Sequence, residues 1–244
     1  MSGSELEERI AAVRGRIEEA ARRAERDPAD ITLVAVSKTQ PPDAVATAYY
    51  AGLHLFGENR AEEAGPKANA VERLLAPGTA PIWHMVGHVQ SRKASDLLPW
   101  AAMVHSVDSA RLADRLSRLS AAAGRDLAIL LEVNVSGEAT KYGLTPQQLP
   151  GAVEAIASLP RLRLEGLMTV APVAADPESV RPVFARLRAL KDEMVRRYPG
   201  LTWRHLSMGM TDDFEVAVEE GATLVRIGRA IFGERPVGWS PYAD

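Results

Sequence analysis

The sequence predicts an α/β protein, a single-domain TIM (β/α)8 barrel with an extra N-terminal helix. Three observations carry that prediction. Short apolar runs alternate with longer segments of helical period along the 244 residues, giving eight strand-then-helix units, the pattern of a parallel sheet covered by helices. The spacing between units is too short for a second domain, and barrels of this length are commonly one domain. Polar residues gather where strands end and helices begin, which is where this fold builds its sites. A doubly wound open sheet is the structural rival, because periodicity does not separate a closed parallel sheet from an open one.

Residues 1–28 carry the extra helix. Over 4–26, Leu6, Ile10, Val13 and Ile17 form one apolar stripe and Ser4 with Glu7 reads as a capping box, so this helix packs outside the barrel. The barrel is assigned to 29–235 and a tail to 236–244. Strands are expected near 31–37, 53–56, 82–86, 102–105, 127–134, 163–168, 203–206 and 223–227. Helices are expected near 43–51, 59–75, 91–98, 109–123, 146–158, 177–197 and 212–220. Thr145-Pro146 with Gln148, Asp176-Pro177 with Ser179, and Thr211-Asp212-Asp213 put a capping residue or an early acid at three of the helix starts.

Composition limits the partners. The net charge is −3 with acids and bases interspersed, so no field attracts nucleic acid or an anionic membrane, and a small-molecule partner is expected. There is no cysteine, which excludes disulfides, thiolate metal sites and a cysteine nucleophile. No apolar run reaches membrane-spanning length, and the N-terminal arginines are matched by acids, unlike a transit peptide. The expected location is the cytoplasm.

Lys38 is the most informative single residue, because it ends the apolar run from Ile31 to Ser37. A lysine at the mouth of a buried strand is costly unless it has a partner, and a carbonyl is one such partner: desolvated lysines form Schiff bases with aldehydes. The alternative is a lysine that snorkels past the strand end into water. Other strand ends carry Gly57-Glu58-Asn59-Arg60, Trp83-His84-Met85-Val86-Gly87-His88 and Val225-Arg226-Ile227-Gly228-Arg229. Ser207, Gly209, Gly228 and Arg229 fall after the seventh and eighth strands, where TIM barrels often hold a phosphate, although such glycines also serve as turn punctuation. The histidines read mostly as structural, with His84 the one able to point inward, and no metal-ligand pattern occurs. Lys141 reads as a solvated loop lysine, with a second, transient carbonyl acceptor as the alternative.

Taken together, several blocks resemble the pyridoxal phosphate (PLP) homeostasis protein family. They are Val34-Ala35-Val36-Ser37-Lys38, Gly57-Glu58-Asn59-Arg60, Trp83 to Gly87 with Gln90 and Lys93, His105-Ser106-Val107-Asp108 and Lys141-Tyr142-Gly143. Gly166-Leu167-Met168-Thr169, Leu206 to Phe214 and Gly221 to Gly233 complete the set, so the resemblance covers nearly the whole chain. Thr211 stands where a serine is more usual, and Arg92 where an asparagine often precedes the lysine. The resemblance implies a barrel like the alanine racemase N-terminal domain, with PLP on Lys38 and its phosphate held by Ser207 and the Gly228-Arg229 backbone. The cofactor-binding set is then Lys38, Asn59, His84, Met168, Ser207, Met208, Gly209, Arg226, Gly228 and Arg229.

The resemblance also puts Arg226 against the pyridine nitrogen. Arginine only donates, so that nitrogen stays neutral and the ring is a poor electron sink. Pairing of Arg226 with a barrel-mouth carboxylate such as Glu132 is the alternative. The expected function is a cytoplasmic, monomeric PLP-binding protein that sequesters and delivers the cofactor with little or no catalysis, its partners being PLP and recipient apo-enzymes or amino acids. The rivals are a PLP-dependent amino-acid racemase and a phosphosugar-processing barrel without PLP.

Overall fold

The computed structural model describes residues 3–233, so the tail assigned to 236–244 lies outside the described residues. Eight strands form the barrel: β1 (Thr32–Val36), β2 (Leu55–Glu58), β3 (Ile82–Met85), β4 (Ala101–Val107), β5 (Leu127–Glu132), β6 (Leu162–Met168), β7 (His205–Ser207) and β8 (Leu224–Ile227). They pair in parallel in chain order and β8 closes onto β1, with Val34 facing Arg226 across the seam, which excludes the open sheet.

A closed sheet wrapped by helices is buried on both faces, so its strands are apolar throughout; all six residues of β5 are buried. Successive side chains still divide between two cores. Val34, Val36, Val86, Met103, Ala128, Leu130, Met168 and Leu224 fill the barrel. Their neighbours, including Ala35, Phe56, Trp83, Ile129 and Leu131, face outward into the larger core under the helices. Stepping two residues along the inward set leads from Val36 to Lys38, from Leu130 to Glu132 and from Leu224 to Arg226. The polar residues at the mouth therefore belong to the same faces as the interior core.

The helices are α1 (Gly3–Arg23), α2 (Pro42–Tyr50), α3 (Ala61–Leu74), α4 (Ala110–Ala122), α5 (Leu149–Ala157), α6 (Arg181–Arg197), α7 (Phe214–Glu219) and α8 (Arg229–Phe232). α1 lies outside the barrel as expected, burying Leu6, Ile10, Val13 and Ile17 and packing mainly on α7 and α8. Arg16 fastens it, donating to both Glu215 oxygens at 3.2 and 2.9 Å and lying 4.5 Å over the Phe214 ring.

Local expectations fare unevenly. Thr145 and Gln148 form a reciprocal capping box ahead of α5, with N–H to side-chain oxygen distances of 2.9 and 3.3 Å. Asp176 caps the next start, although a 3-10 turn (Pro177–Val180) precedes α6. Ser4 lies inside α1, so it is not the residue before the helix that a capping box requires. The segment expected as a helix over 91–98 is instead a 3-10 helix, Ser91–Leu97, and α8 is a short helix that the sequence pattern did not announce.

Candidate functional site

The C-terminal ends of the strands surround a cleft of about 760 Å³. On one wall, the chain leaves β1 in a tight turn in which Gln40 N–H donates to Ser37 O at 3.0 Å, and half-buried Lys38 stands on that turn. The turn is anchored from below. Ser37 Oγ donates to Glu58 Oε1 at 2.7 Å, and Lys67 from α3 donates to the same oxygen at 2.8 Å and to Ser37 O at 3.0 Å. Asn59 follows β2 beside this cluster, and the chain leaving β3 crosses it so closely that a Cβ on Gly87 would lie 2.4 Å from Asn59 O.

Arg226 forms the floor. It is 5% exposed, donating from Nη1 to Ser207 Oγ at 2.6 Å and from Nη2 to Thr169 O at 2.9 Å. Because guanidinium only donates, Ser207 Oγ accepts and is left with its own proton to give. Given to His105 Nδ1 at 2.8 Å, that proton would leave His105 Nε2 carrying the hydrogen donated to His84 Nδ1 at 2.9 Å. Burial pushes His84 down to about 4 and His105 well below the ordinary imidazole range, so both rings are neutral at physiological pH. Burial also lowers Arg226, to about 10, with the carboxyls of Glu132 and Asp213 opposing the shift, so the guanidinium stays charged. Arg226 makes no direct ion pair with Glu132; its partners are Ser207 and Thr169.

The far wall carries Glu132, which is 8% exposed and is pushed up to about 7 by burial and by the nearby charge of Asp108. Beside it the His88 and Tyr142 rings stack at 3.6 Å and 11°, and His88 Nδ1 lies 3.2 Å from Asp108 Oδ2. Lys141 pairs with Glu138 at 2.7 Å and donates to Val170 O at 3.3 Å, which fastens the loop after β5 across the mouth. At the remaining rim, Arg229 pairs with Asp212, and a Cβ on Gly228 would lie 2.9 Å from Val36 O, so only glycine lets β8 leave the barrel so close to β1.

Of the ten predicted cofactor contacts, Lys38, Asn59, Met168, Arg226, Gly228 and Arg229 line the cleft. Four do not. His84 points inward as expected but lies beneath the cleft, bonded to His105. Ser207 is fully buried with its hydroxyl engaged by Arg226 and His105, and Met208 points outward into the core under the helices. Gly209 has φ 90° and packs on α7, where a Cβ would lie 2.6 Å from Ala217 Cβ. The Ser37–Glu58–Lys67 cluster and the wall made by His88 and Tyr142 are not among the contacts predicted from sequence. Two-residue steps along the inward faces would have flagged His88, whereas Lys67 carries no local signal.

The fold and the convergence of a lysine and a buried arginine on one mouth define a barrel of the alanine racemase N-terminal-domain class, and the model of the family described as alanine racemase, N-terminal domain, matches residues 9–236. The chain is 45% identical over 236 residues to the pyridoxal phosphate homeostasis protein of Pseudomonas aeruginosa, covering 96% of this chain and 98% of that one. It is 42% identical over 228 residues to the protein of the same name from Aquifex aeolicus, with 93% and 97% covered. The solved structure of PipY from Synechococcus elongatus with PLP bound superposes with a TM-score of 0.79 at 33% identity, covering 93% of this chain and 100% of that one. The chain belongs to the pyridoxal phosphate homeostasis protein family.

Proposed function

We propose that this protein binds pyridoxal 5′-phosphate on Lys38 as a Schiff base and serves intracellular cofactor homeostasis by sequestering and delivering it. The observation that carries this reading is that Lys38 and Arg226, from the adjoining strands β1 and β8, line one cleft. The residues present fit the group. Lys38 supplies a primary amine able to condense with an aldehyde, releasing one water. Arg226 supplies a buried cation that has N–H groups to spare beyond its bonds to Ser207 and Thr169. Gly228 supplies a backbone stretch without a side chain at the rim, where with Arg229 it would hold the phosphate. Ser207 would donate to that cup only by giving up its bond to His105, so its first role is to hold Arg226.

When bound, PLP supplies a reactive aldehyde and a conjugated ring. Arg226 would donate to that ring's nitrogen and keep it unprotonated, which would disfavour carbanion chemistry and fit storage better than turnover. Release would then follow exchange with another amine, from amino acids or recipient apo-enzymes. We place the protein in the cytoplasm as a monomer; among the described residues no helix is long and apolar enough to cross a membrane. One observation favours a second reading as a racemase: Tyr142 lines the same cleft as Lys38. Isotope exchange at the α-carbon of amino acids, abolished by Lys38→Ala, would establish that reading.

The primary test is the visible spectrum of the purified protein with added PLP, followed by borohydride reduction and peptide mapping. An imine band should appear, the reduced adduct should map to the Lys38 peptide, and Lys38→Ala should lose both. Unchanged labelling in Lys38→Ala would refute the assignment.

A further inference from the structure

Glu132 has no task in the scheme above. It ends β5, four strands from β1 in the barrel order, so it faces Lys38 across the mouth. Its side chain lines the cleft, and Oε2 is sealed from solvent with no hydrogen-bond partner. A carboxyl so placed persists by staying protonated or by meeting a cation. The neighbouring cations do not bond to it: Arg226 attracts Glu132 only through space while donating to Ser207 and Thr169, and Lys141 pairs with Glu138 and donates to Val170 O. Asp108, beside His88, adds negative charge to the same wall. Among the described residues no three His, Cys, Asp or Glu side chains are grouped to hold a metal ion, and an ammonium group can meet the carboxylate without such a cluster. The stacked His88 and Tyr142 rings also line the cleft and offer a flat surface suited to an ammonium and its alkyl chain.

We propose that Glu132 seats a primary ammonium group, making the far wall of the cleft a binding subsite for a small amine. This deepens the cofactor-holding reading and rests on it in one respect: an amine seated here is placed to take the aldehyde from Lys38. In that exchange a C–N bond to the incoming nitrogen forms as the C–N bond to Lys38 breaks. Two protons leave the incoming ammonium, the first to the Glu132 carboxylate, and two reach the departing Lys38 nitrogen, so no further reactant is needed. A carboxyl that burial holds at about 7 can accept that proton and return it.

Two measurements test the subsite. In the unloaded protein carrying 13C-labelled glutamate carboxyls, with Glu132 assigned through Glu132→Gln, the Glu132 titration is followed in ethylammonium, tetramethylammonium and sodium chlorides. Ethylammonium alone should lower its midpoint, by about one pH unit, equivalent to a tenfold preference for the ionised form. In the PLP-loaded protein, release by ethylamine should saturate with amine concentration. Glu132→Gln should make that dependence linear and slow release about tenfold at a fixed subsaturating concentration, as expected for loss of a charge-assisted hydrogen bond, while release by uncharged hydroxylamine stays the same. Identical titrations in the three salts, or equal slowing with both nucleophiles, would overturn the subsite. Should the wild type take up no PLP, the Lys38 reading fails, and the titration in the unloaded protein still decides the subsite.

Discussion

Thr39 adopts φ 68°, in the left-handed region that a β-branched side chain resists. The cause is the turn that carries Lys38: Gln40 N–H closes onto Ser37 O, and the second central residue of such a turn with positive φ is a glycine position. Holding a non-glycine residue there costs about 1–2 kcal/mol, and strain of this kind is sustained only where the surroundings over-determine it. Those surroundings are the Ser37 bonds to Glu58 and Lys67. Thr39→Gly should therefore stabilise the unloaded protein by up to about 1 kcal/mol, after allowing for the flexibility that glycine adds to the unfolded chain. The same change frees Lys38 to wander, so PLP should be held less tightly. Urea unfolding with and without PLP measures both effects, and a variant that is less stable or retains PLP better would contradict the link between strain and placement.

At the scale of elements, Glu58 and Lys67 join β1, β2 and α3 through a nearly dry ion pair, their side chains 1% and 11% exposed. Breaking such a pair from one side is more costly than removing it, because a charge is stranded without a partner. Lys67→Met should cost about 3–5 kcal/mol by that rule, and adding Glu58→Gln should restore much of the loss. Chemical denaturation of the two single variants and the double variant forms the cycle, and additive losses would show that the pair is not coupled. The elements joined here were legible in the sequence because apolar runs and helical periods are local. Their relative heights were not. Lys38 lies two residues beyond the end of β1, whereas Ser207 is still inside β7, so both are strand-end residues in sequence while one faces the cleft and the other lies beneath it. Barrel stagger sets that difference, and it appears only once all eight strands are paired. The outward side chain of Met208 is legible from sequence alone, since strict alternation turns it outward once Ser207 is inward.

Over the whole molecule, the buried polar groups beneath and around the cleft give stability two opposing pH dependences. His84 falls from 6.5 to about 4 on folding, and burial also holds His105 well below the ordinary imidazole range. The unfolded chain therefore binds protons that the folded chain refuses, and stability drops as pH falls below 6.5; His205, also depressed by burial, acts in the same direction. Glu132 does the reverse, because burial raises it from 4.5 to about 7. Its contribution is complete below 4.5 and is lost as pH rises to about 7, with Asp213, raised by burial, adding to that sense. Between 4.5 and 6.5 the protons of three depressed histidines outweigh those of the two raised carboxyls, so stability should climb with pH, peak near 6.5 and then decline slightly to a plateau above 7. Glu132→Gln should abolish the decline, steepen the acid limb and leave the unloaded protein about 3 kcal/mol more stable at pH 8 than the wild type, the free energy that raising the carboxyl from 4.5 to about 7 represents. Urea unfolding of the unloaded protein from pH 5 to pH 8 measures the profile. If the variant keeps the wild-type decline and gains nothing at pH 8, Glu132 is already ionised at neutral pH with a partner of its own, and the far wall of the cleft has no vacancy for a cation. A gain that vanishes when ethylammonium is added to the wild type would instead tie the instability of the far wall to the charge that an amine neutralises.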